Sequence, residues 1–533
     1  MELGIILVAS VISLSILAEK FSVKLGMPAL ILFMFIGMLF GSDGILKIPF
    51  DNFDIAKDIC SIALLFIMFY GGFNTKWKVA KPVAVKAGLL STVGVVVTAG
   101  LTAVFCYYAL GFSGAESFLI GAVLSSTDAA SVFSILRQKK LNLKDNTASL
   151  LEVESGSNDP MAYMLTVIGL GLLGAGESVN PALLVLSQIF LGVLWGVVFA
   201  LLAIWLLEKT ALISDGLDTI FMIAVVLLCY SISGVLGGNQ YLSVYLMGIL
   251  VGNSKIRNKT TLIPFFDGVT SLSQILIFFL LGLLSFPHEM PQIVGTALAI
   301  AVFLTVIARP VAVFAILAPF RCSVRQCLLV SWAGLRGAAS SVFAIMVVAG
   351  GASLSHDLFH IVFTVSLFSV AIQGSLLPKV AEKLRMVDET ADVRKTFNDY
   401  QEESAITLMR MHIPKGHNWE NRLIREVTMP TGALAIMIKR GKETIIARGD
   451  TKILADDNII LSVPSYEPSD TDQLIEVQID KSHPWCSKAI ADLNIPSDEL
   501  LAMIIRDGQN LIPDGKTVIQ ENDVVVTYKE TLT

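Results

Sequence analysis

The sequence predicts a polytopic α-helical membrane domain followed by a small soluble α/β tail built as a tandem repeat. Three observations carry this. Of the 533 residues, 54% are hydrophobic and only 16% charged, too apolar for a soluble enzyme. Apolar runs near bilayer length recur from the first residues to about 378 and then stop. The charge divides at the same place, because residues 379–533 hold 19 Lys/Arg and 26 Asp/Glu whereas residues 1–378 hold 20 and 19. The expected units are a transmembrane domain at 1–378, a linker at 379–400, and two small domains at 401–466 and 467–533. The tail is acidic, which argues against nucleic acid as a partner.

Roughly twenty apolar residues cross a bilayer. On that scale, thirteen segments qualify, near 3–19, 28–41, 59–73, 87–110, 117–136, 147–173, 183–207, 219–236, 240–253, 269–286, 291–319, 326–349 and 358–378. They are called helices 1 to 13 below. The first begins with Glu2 rather than a basic stretch, so it reads as a membrane helix and not a cleaved leader. With the N-terminus outside, the inner loops hold sixteen basic residues, from Lys20 and Lys24 to Arg321 and Arg325. The outer loops hold two, Lys47 and Lys57. That bias follows the positive-inside rule and places the tail in the cytoplasm. The six cysteines show no metal-ligand spacing and read as packing residues.

Six charges remain inside helices: Asp128, Glu152, Glu154, Asp159, Arg309 and Arg336. Each costs several kcal/mol in a bilayer, so each is a functional candidate. A structural ion pair is the plainer alternative for any one of them.

An internal repeat narrows the choice. "LGMPALILFMFIGMLFGS" (25–42) resembles "LGGNQYLSVYLMGILVGN" (236–253), and "SVFSIL" (131–136) resembles "SVFAIM" (341–346), at offsets of 211 and 210. Helices 1–6 are then repeated as helices 8–13. A shift of seven helices inverts the second copy, an arrangement that puts a transport site at interrupted helices near the midplane. Helix 5 carries "SSTDAAS" and helix 12 carries "GLRGAAS", polar and small residues suited to local unwinding. At 1.5 Å per residue, Asp128 and Asp159 each lie about 17–18 Å deep, approached from opposite faces.

Helix 6 carries "LEVESGSNDP" (151–160). Glu152 and Asp159 are seven residues apart and nearly aligned, so Asp159 faces the cavity and Glu152 lies nearer the inner mouth. Glu154 is five residues from Asp159 and faces protein, where it needs a cation. Arg309 and Arg336 are at similar depth, and depth leaves that choice open.

These residues resemble the cation:proton antiporters of the sodium/hydrogen exchanger, NhaP-like branch. The likeness covers about residues 1–378 and rests on "ESGSND", "STDAAS", "ARP" and "GLRG". It implies an electroneutral exchanger of one monovalent cation for one proton, working as a homodimer in the inner membrane. It implies that Asp159 binds cation or proton, with Asn158, Asp128 and Thr127 supporting it and Glu154 paired to Arg309. Ser155, Glu152 and Arg336 stand beside them as supporting residues. Ala129 follows Thr127-Asp128 where many relatives have proline, a departure at the helix-5 break.

The tail repeats itself. "HNW" (417–419) returns as "HPW" (483–485), Pro430 as Pro496, Arg440 as Arg506 and Asp457 as Asp523, all at an offset of 66. Each unit resembles a TrkA-C (RCK C-terminal) domain, which implies regulation by a small ligand such as a cyclic dinucleotide and tilts the ion toward potassium over sodium. A dimerisation or stability module is the plainer reading. No Rossmann fingerprint occurs in the tail, so no NAD and no resident cofactor are expected. "GLGLLG" (169–174) ends an apolar helix and reads as close packing, and "GVLWG" (192–196) is a weak hint of a dimer face. His356 and His360 read as a solvated outer face of helix 13. Two rival functions fit the sequence less well. A ligand-gated cation channel needs a continuous pore, and an intramembrane aspartyl protease using Asp128 and Asp159 leaves the repeat and the arginines without a role.

Overall fold

The computed structural model describes residues 2–530 other than 26–27, 140, 175–179, 210–216, 255, 257–258, 353, 389–405, 428, 430–432, 441–442, 465–471, 481–482, 494–498, 507–508, 512 and 522. It forms two compact units, Met1–Tyr400 and Gln401–Thr533.

In the first unit every one of the thirteen apolar segments falls on helix. Among the described residues, six continuous helices are long and apolar enough to cross a membrane: Ala84–Ala109, Pro181–Glu208, Asp218–Val235, Thr261–Leu283, Met290–Phe320 and Leu358–Lys383. Helices 2 and 9 are shorter than a simple span, at 12 and 13 residues. At 1.5 Å per residue that is about 18–20 Å, against about 30 Å of hydrocarbon. Caps explain the shortness of helix 9: Asn239 accepts from Leu242 N at its start, and Asn253 ends it.

Glycine crossings tie these short helices to long ones. A Cβ on Gly37 of helix 2 would lie 2.8 Å from Gly282 Cα of helix 10. On Gly72 of helix 3 it would lie 3.0 Å from Ile249 N of helix 9, beside Gly248. Backbones approach this closely only where side chains are absent. Helix 2 on helix 10 and helix 9 on helix 3 are therefore the same contact made twice.

Helices 5 and 12 are both interrupted. Helix 5 runs Gly114–Val123 and resumes at Ala129–Gln138. Helix 12 runs Val324–Trp332 and resumes at Ala338–Ala349. Three other helices widen to π geometry for one turn, at Leu90–Gly94, Leu304–Ala308 and Ser369–Gly374, a local distortion common at functional sites.

The tail is two copies of one sheet. Strands β1 (Ile406–His412), β2 (Leu434–Arg440), β3 (Glu443–Ile446) and β4 (Asn458–Pro464) pair in the order β1-β4-β2-β3. Strands β5 (Asp472–Gln478), β6 (Glu499–Arg506), β7 (Gln509–Leu511) and β8 (Val524–Glu530) pair as β5-β8-β6-β7. Even the register shift recurs, between Ala435 and Met437 and again between Leu501 and Met503. Here the expected α/β character needs correction. Among the described residues the tail has strands and single 3₁₀ turns, Ile424–Glu426 and Ile490–Asp492, and no α-helix. A four-stranded antiparallel sheet in this order is joined by one hairpin and two connections that each pass one strand, and it does not require the helix of a βαβ unit. Pro430 and Pro496 lie outside the described residues.

Candidate functional site

An interrupted helix exposes backbone N–H groups at one broken end and carbonyls at the other, and both need partners away from water. Here the two broken helices supply them to each other. Asp128 N donates to Leu335 O at 2.8 Å, joining the breaks through backbone. The Asp128 carboxylate accepts from Ser131 N (3.1 Å) and Ser131 Oγ (2.6 Å), which caps the second half of helix 5. It also accepts from Ala338 N at 3.3 Å, the first residue of the second half of helix 12. One carboxylate thus faces the positive ends of two helices. Arg336 does the reverse. Its Nη1 donates to Ser125 O (2.9 Å) and Ser126 O (2.6 Å), carbonyls released where the first half of helix 5 ends. Its backbone N donates to Ser369 Oγ at 2.9 Å, within the π turn of helix 13.

Gly337 makes room for this arrangement. A Cβ there would lie 2.7 Å from Asp128 Cγ, so any other residue would push the carboxylate off both helix ends.

Helix 6 (Thr147–Leu172) lies against the helix-5 break and contains Pro160. Asp159 is buried and accepts a short hydrogen bond from Ser126 Oγ. Asn158 Nδ2 donates to Thr127 Oγ1 at 2.5 Å. Thr127 Oγ1 and Ser155 Oγ are 2.7 Å apart, and Ser155 Oγ donates to Thr127 O at 3.1 Å. The predicted Thr127, Asp128, Ser155, Asn158 and Asp159 are therefore one constellation between helices 5 and 6.

Glu154 points elsewhere. Arg309 Nη2 lies 2.6 Å from Glu154 Oε1 and 2.8 Å from Oε2, and both side chains are buried. Arg336 is committed to the helix-5 carbonyls, so geometry decides what depth left open. The helix-12 break makes this pair feasible as well, because a Cβ on Gly334 would lie 2.8 Å from Arg309 Nε. A small cavity beside the pair is lined by Thr305, Arg309, Ser331, Arg336, Ser369 and Gln373, among others. Glu152 is half-buried and accepts from Thr75 Oγ1 at 3.4 Å, away from the Asp159 cluster.

Several residues escaped the sequence reading. Ser126 stood in view within "SSTDAAS", but nothing in the spacing singled it out. Glu116 falls one residue before the fifth apolar segment, yet it is buried and accepts from His356 N at 2.8 Å, with the imidazole Nδ1 3.2 Å away. The solvated face expected for His356 and His360 is wrong for His360, which is buried. Its Nδ1 lies 2.5 Å from Asp357 Oδ2 and its Nε2 accepts from Phe286 N at 2.9 Å. Both ring nitrogens are used, so a metal has no lone pair to take. A histidine one turn into a helix carries no periodicity signal that separates these cases.

Comparison with known proteins identifies the family. Residues 6–383 match the family described as sodium/hydrogen exchanger, transmembrane, and residues 408–466 and 474–526 match the TrkA-C domain. The chain is 33% identical over 465 residues to the K(+)/H(+) antiporter NhaP of Alkalimonas amylolytica, covering 86% of this chain and 81% of that protein. It is 32% identical over 464 residues to the K(+)/H(+) antiporter NhaP2 of Shewanella sp. strain ANA-3, covering 86% and 80%. Its fold is similar to that of the sodium proton antiporter MjNhaP1 from Methanocaldococcus jannaschii, with a TM-score of 0.64 and 23% identity over 72% of this chain and 99% of that one. These relatives are secondary transporters, which removes the protease alternative. The chain belongs to the sodium/hydrogen exchanger family and is a membrane-spanning cation:proton antiporter with two TrkA-C domains at its C-terminal end.

Proposed function

We propose that this antiporter exchanges one monovalent cation for one proton at Asp159, by alternating access and without net charge movement. One observation carries the assignment. Among the described residues, Glu154 has Arg309 and Asp128 has two helix ends, whereas Asp159 has no cationic group at ion-pair distance. A buried carboxylate without a fixed countercharge is costly when ionised, so it holds either a proton or a dehydrated cation. One competitive site opened to each side in turn is sufficient for one-for-one exchange. Thr127, Ser155 and Asn158 shape that site, and Asp128 and Arg336 hold the broken helices around it. Potassium is favoured over sodium, in keeping with the K(+)/H(+) antiporters that the chain resembles in sequence.

The architecture behind this reading is thirteen spans in the inner membrane with the N-terminus outside and the two six-helix halves inverted. The doubled glycine crossing supports it, since Gly37 and Gly248 are 211 residues apart and Gly72 and Gly282 are 210 apart, the offsets of the sequence repeat. A homodimer and a cytoplasmic tail that tunes transport through a small ligand, for which a cyclic dinucleotide is the first candidate, complete the proposal.

The test is cation-induced pH change in everted vesicles with potassium, sodium and lithium. Asp159→Asn is expected to abolish exchange while the protein still reaches the membrane. Normal exchange in that variant would overturn the assignment, and potassium flux without proton movement would favour a channel.

A further inference from the structure

We propose that Ser126 is a positioning residue for exchange: its hydroxyl donates to the Asp159 carboxylate while proton and cation change places, then turns its oxygen to the arriving cation. This rests on Asp159 being the exchanging group.

The hydroxyls around the break are not equivalent. Ser125 Oγ donates to Ala122 O at 2.6 Å, closing the end of the first half of helix 5. Thr127 Oγ1 is taken by Asn158 Nδ2 and Ser155 Oγ, and Ser131 Oγ is bound to Asp128. Among the described residues, Ser126 alone gives its hydroxyl to Asp159.

Ser126 does not need that hydroxyl to stay in place. Its carbonyl is held by Arg336 Nη1 at 2.6 Å and by Ser340 Oγ at 3.4 Å. The backbone is anchored by helix 12 and the side chain is left for helix 6. A serine hydroxyl carries one donor and two lone pairs, and its hydrogen position follows its surroundings. Rotation about one bond therefore converts it from a donor to the carboxylate into a ligand for a cation beside that carboxylate. The preceding residue of helix 6 offers a further oxygen, because Asn158 Oδ1 is buried and, among the described residues, has no hydrogen-bond partner. Asp159, Ser126 Oγ and Asn158 Oδ1 are oxygen donors of the kind a dehydrated alkali cation requires. As the cation binds, the proton leaves Asp159, and as the proton returns the cation leaves.

The sign of the effect follows. Removing the hydroxyl removes a hydrogen bond that favours the ionised carboxylate, so protonation competes more strongly. It also removes one cation ligand. Exchange is measured in everted vesicles with potassium as the probe, across pH, for the parent protein, Ser126→Ala and Ser126→Thr. Ser126→Ala is expected to move the pH profile alkaline by about one unit, the size of one hydrogen bond to a charged group. At its own alkaline plateau it is expected to raise the KM for potassium about tenfold, with the maximal rate within about twofold. Ser126→Thr keeps the hydroxyl and is expected to restore both. If Ser126→Ala does not assemble, Ser126→Gly keeps the anchored carbonyl and carries the same expectation. An unshifted profile in Ser126→Ala, or a shift as large in Ser126→Thr, overturns the inference. Exchange retained in Asp159→Asn would instead overturn the reading beneath it, and loss there with an unshifted Ser126→Ala overturns this inference alone.

Discussion

Arg309 Nη2 lies 2.6 Å from Glu154 Oε1, joining helix 11 to helix 6 through a pair of charges that are both buried. Each charge is affordable only because the other is present, since desolvation of a lone buried ion outweighs the gain from any neutral contact.

Removing one partner therefore strands the other. Glu154→Gln or Arg309→Met is expected to lower unfolding stability by about 3–5 kcal/mol, and the double variant by much less than the sum. Thermal melts of the four proteins in one detergent measure it. Additive losses would mean that the two residues act independently.

Gly337 is the tightest point of the site. Gly337→Ala is expected to reduce exchange by at least about tenfold, because its Cβ would occupy the Asp128 carboxylate and uncap two helices. Gly88, a helical glycine with open space where its Cβ would go, is the control. Gly88→Ala is expected to keep full exchange and to gain about 0.5–1 kcal/mol from helix propensity. Equal activity in both variants would show that the double cap is dispensable.

The tail predicts its own acid limit. Asp457 accepts Arg440 Nε and Nη2 at 2.8 Å each, and Asp523 accepts Arg506 in the same way at 2.8 and 2.7 Å. Burial raises the Asp457 pKa, but the Arg440 hydrogen bonds, the one from Leu454 N and the Arg440 charge together outweigh it, and the net displacement is downward. At Asp523 the Arg506 hydrogen bonds lead, and the displacement is again downward. A carboxylate depressed in the fold stabilises it above the unfolded value of about 3.9, and that contribution is lost as pH falls through the folded value. Amide protection in β4 and β8 of the full chain, corrected for intrinsic exchange, should stay level from neutral pH to about 4 and fall below it. Asp457→Asn should remove this dependence from the first sheet only. Loss in both sheets together would mean that they unfold as one unit.

A chain ending near Lys395 is expected to keep cation-dependent proton exchange, since all the charged residues of the candidate site precede it. Its pH or ligand dependence should differ from that of the full chain. A ligand that acts through the tail must favour one transport state, because equal affinity for both shifts nothing. Rates of both proteins across pH, with and without cyclic dinucleotides, measure this. Complete loss of exchange in a folded truncation would make the tail part of the transport machinery.

By itself the sequence determined where helices form and which ones break. Apolar runs can bury their backbone in a bilayer only as helix, and "SSTDAAS" and "GLRGAAS" interrupt two of those runs with residues that do not belong in hydrocarbon. It also determined the tail's doubling, since an ungapped offset of 66 leaves one way to fold both halves. Tertiary structure decided who meets whom. Arg309 and Arg336 are equally deep and equally charged, and only the crossing of helices 6 and 11 gives Glu154 to one and the helix-5 carbonyls to the other. The same holds for Ser126 and for His360. A serine in a break and a histidine at a helix end look alike in sequence whether they face solvent or a buried partner. The reason is physical: periodicity and hydropathy report a residue's own preference along one helix, whereas a hydrogen bond or ion pair depends on the position of a second helix far away in the chain.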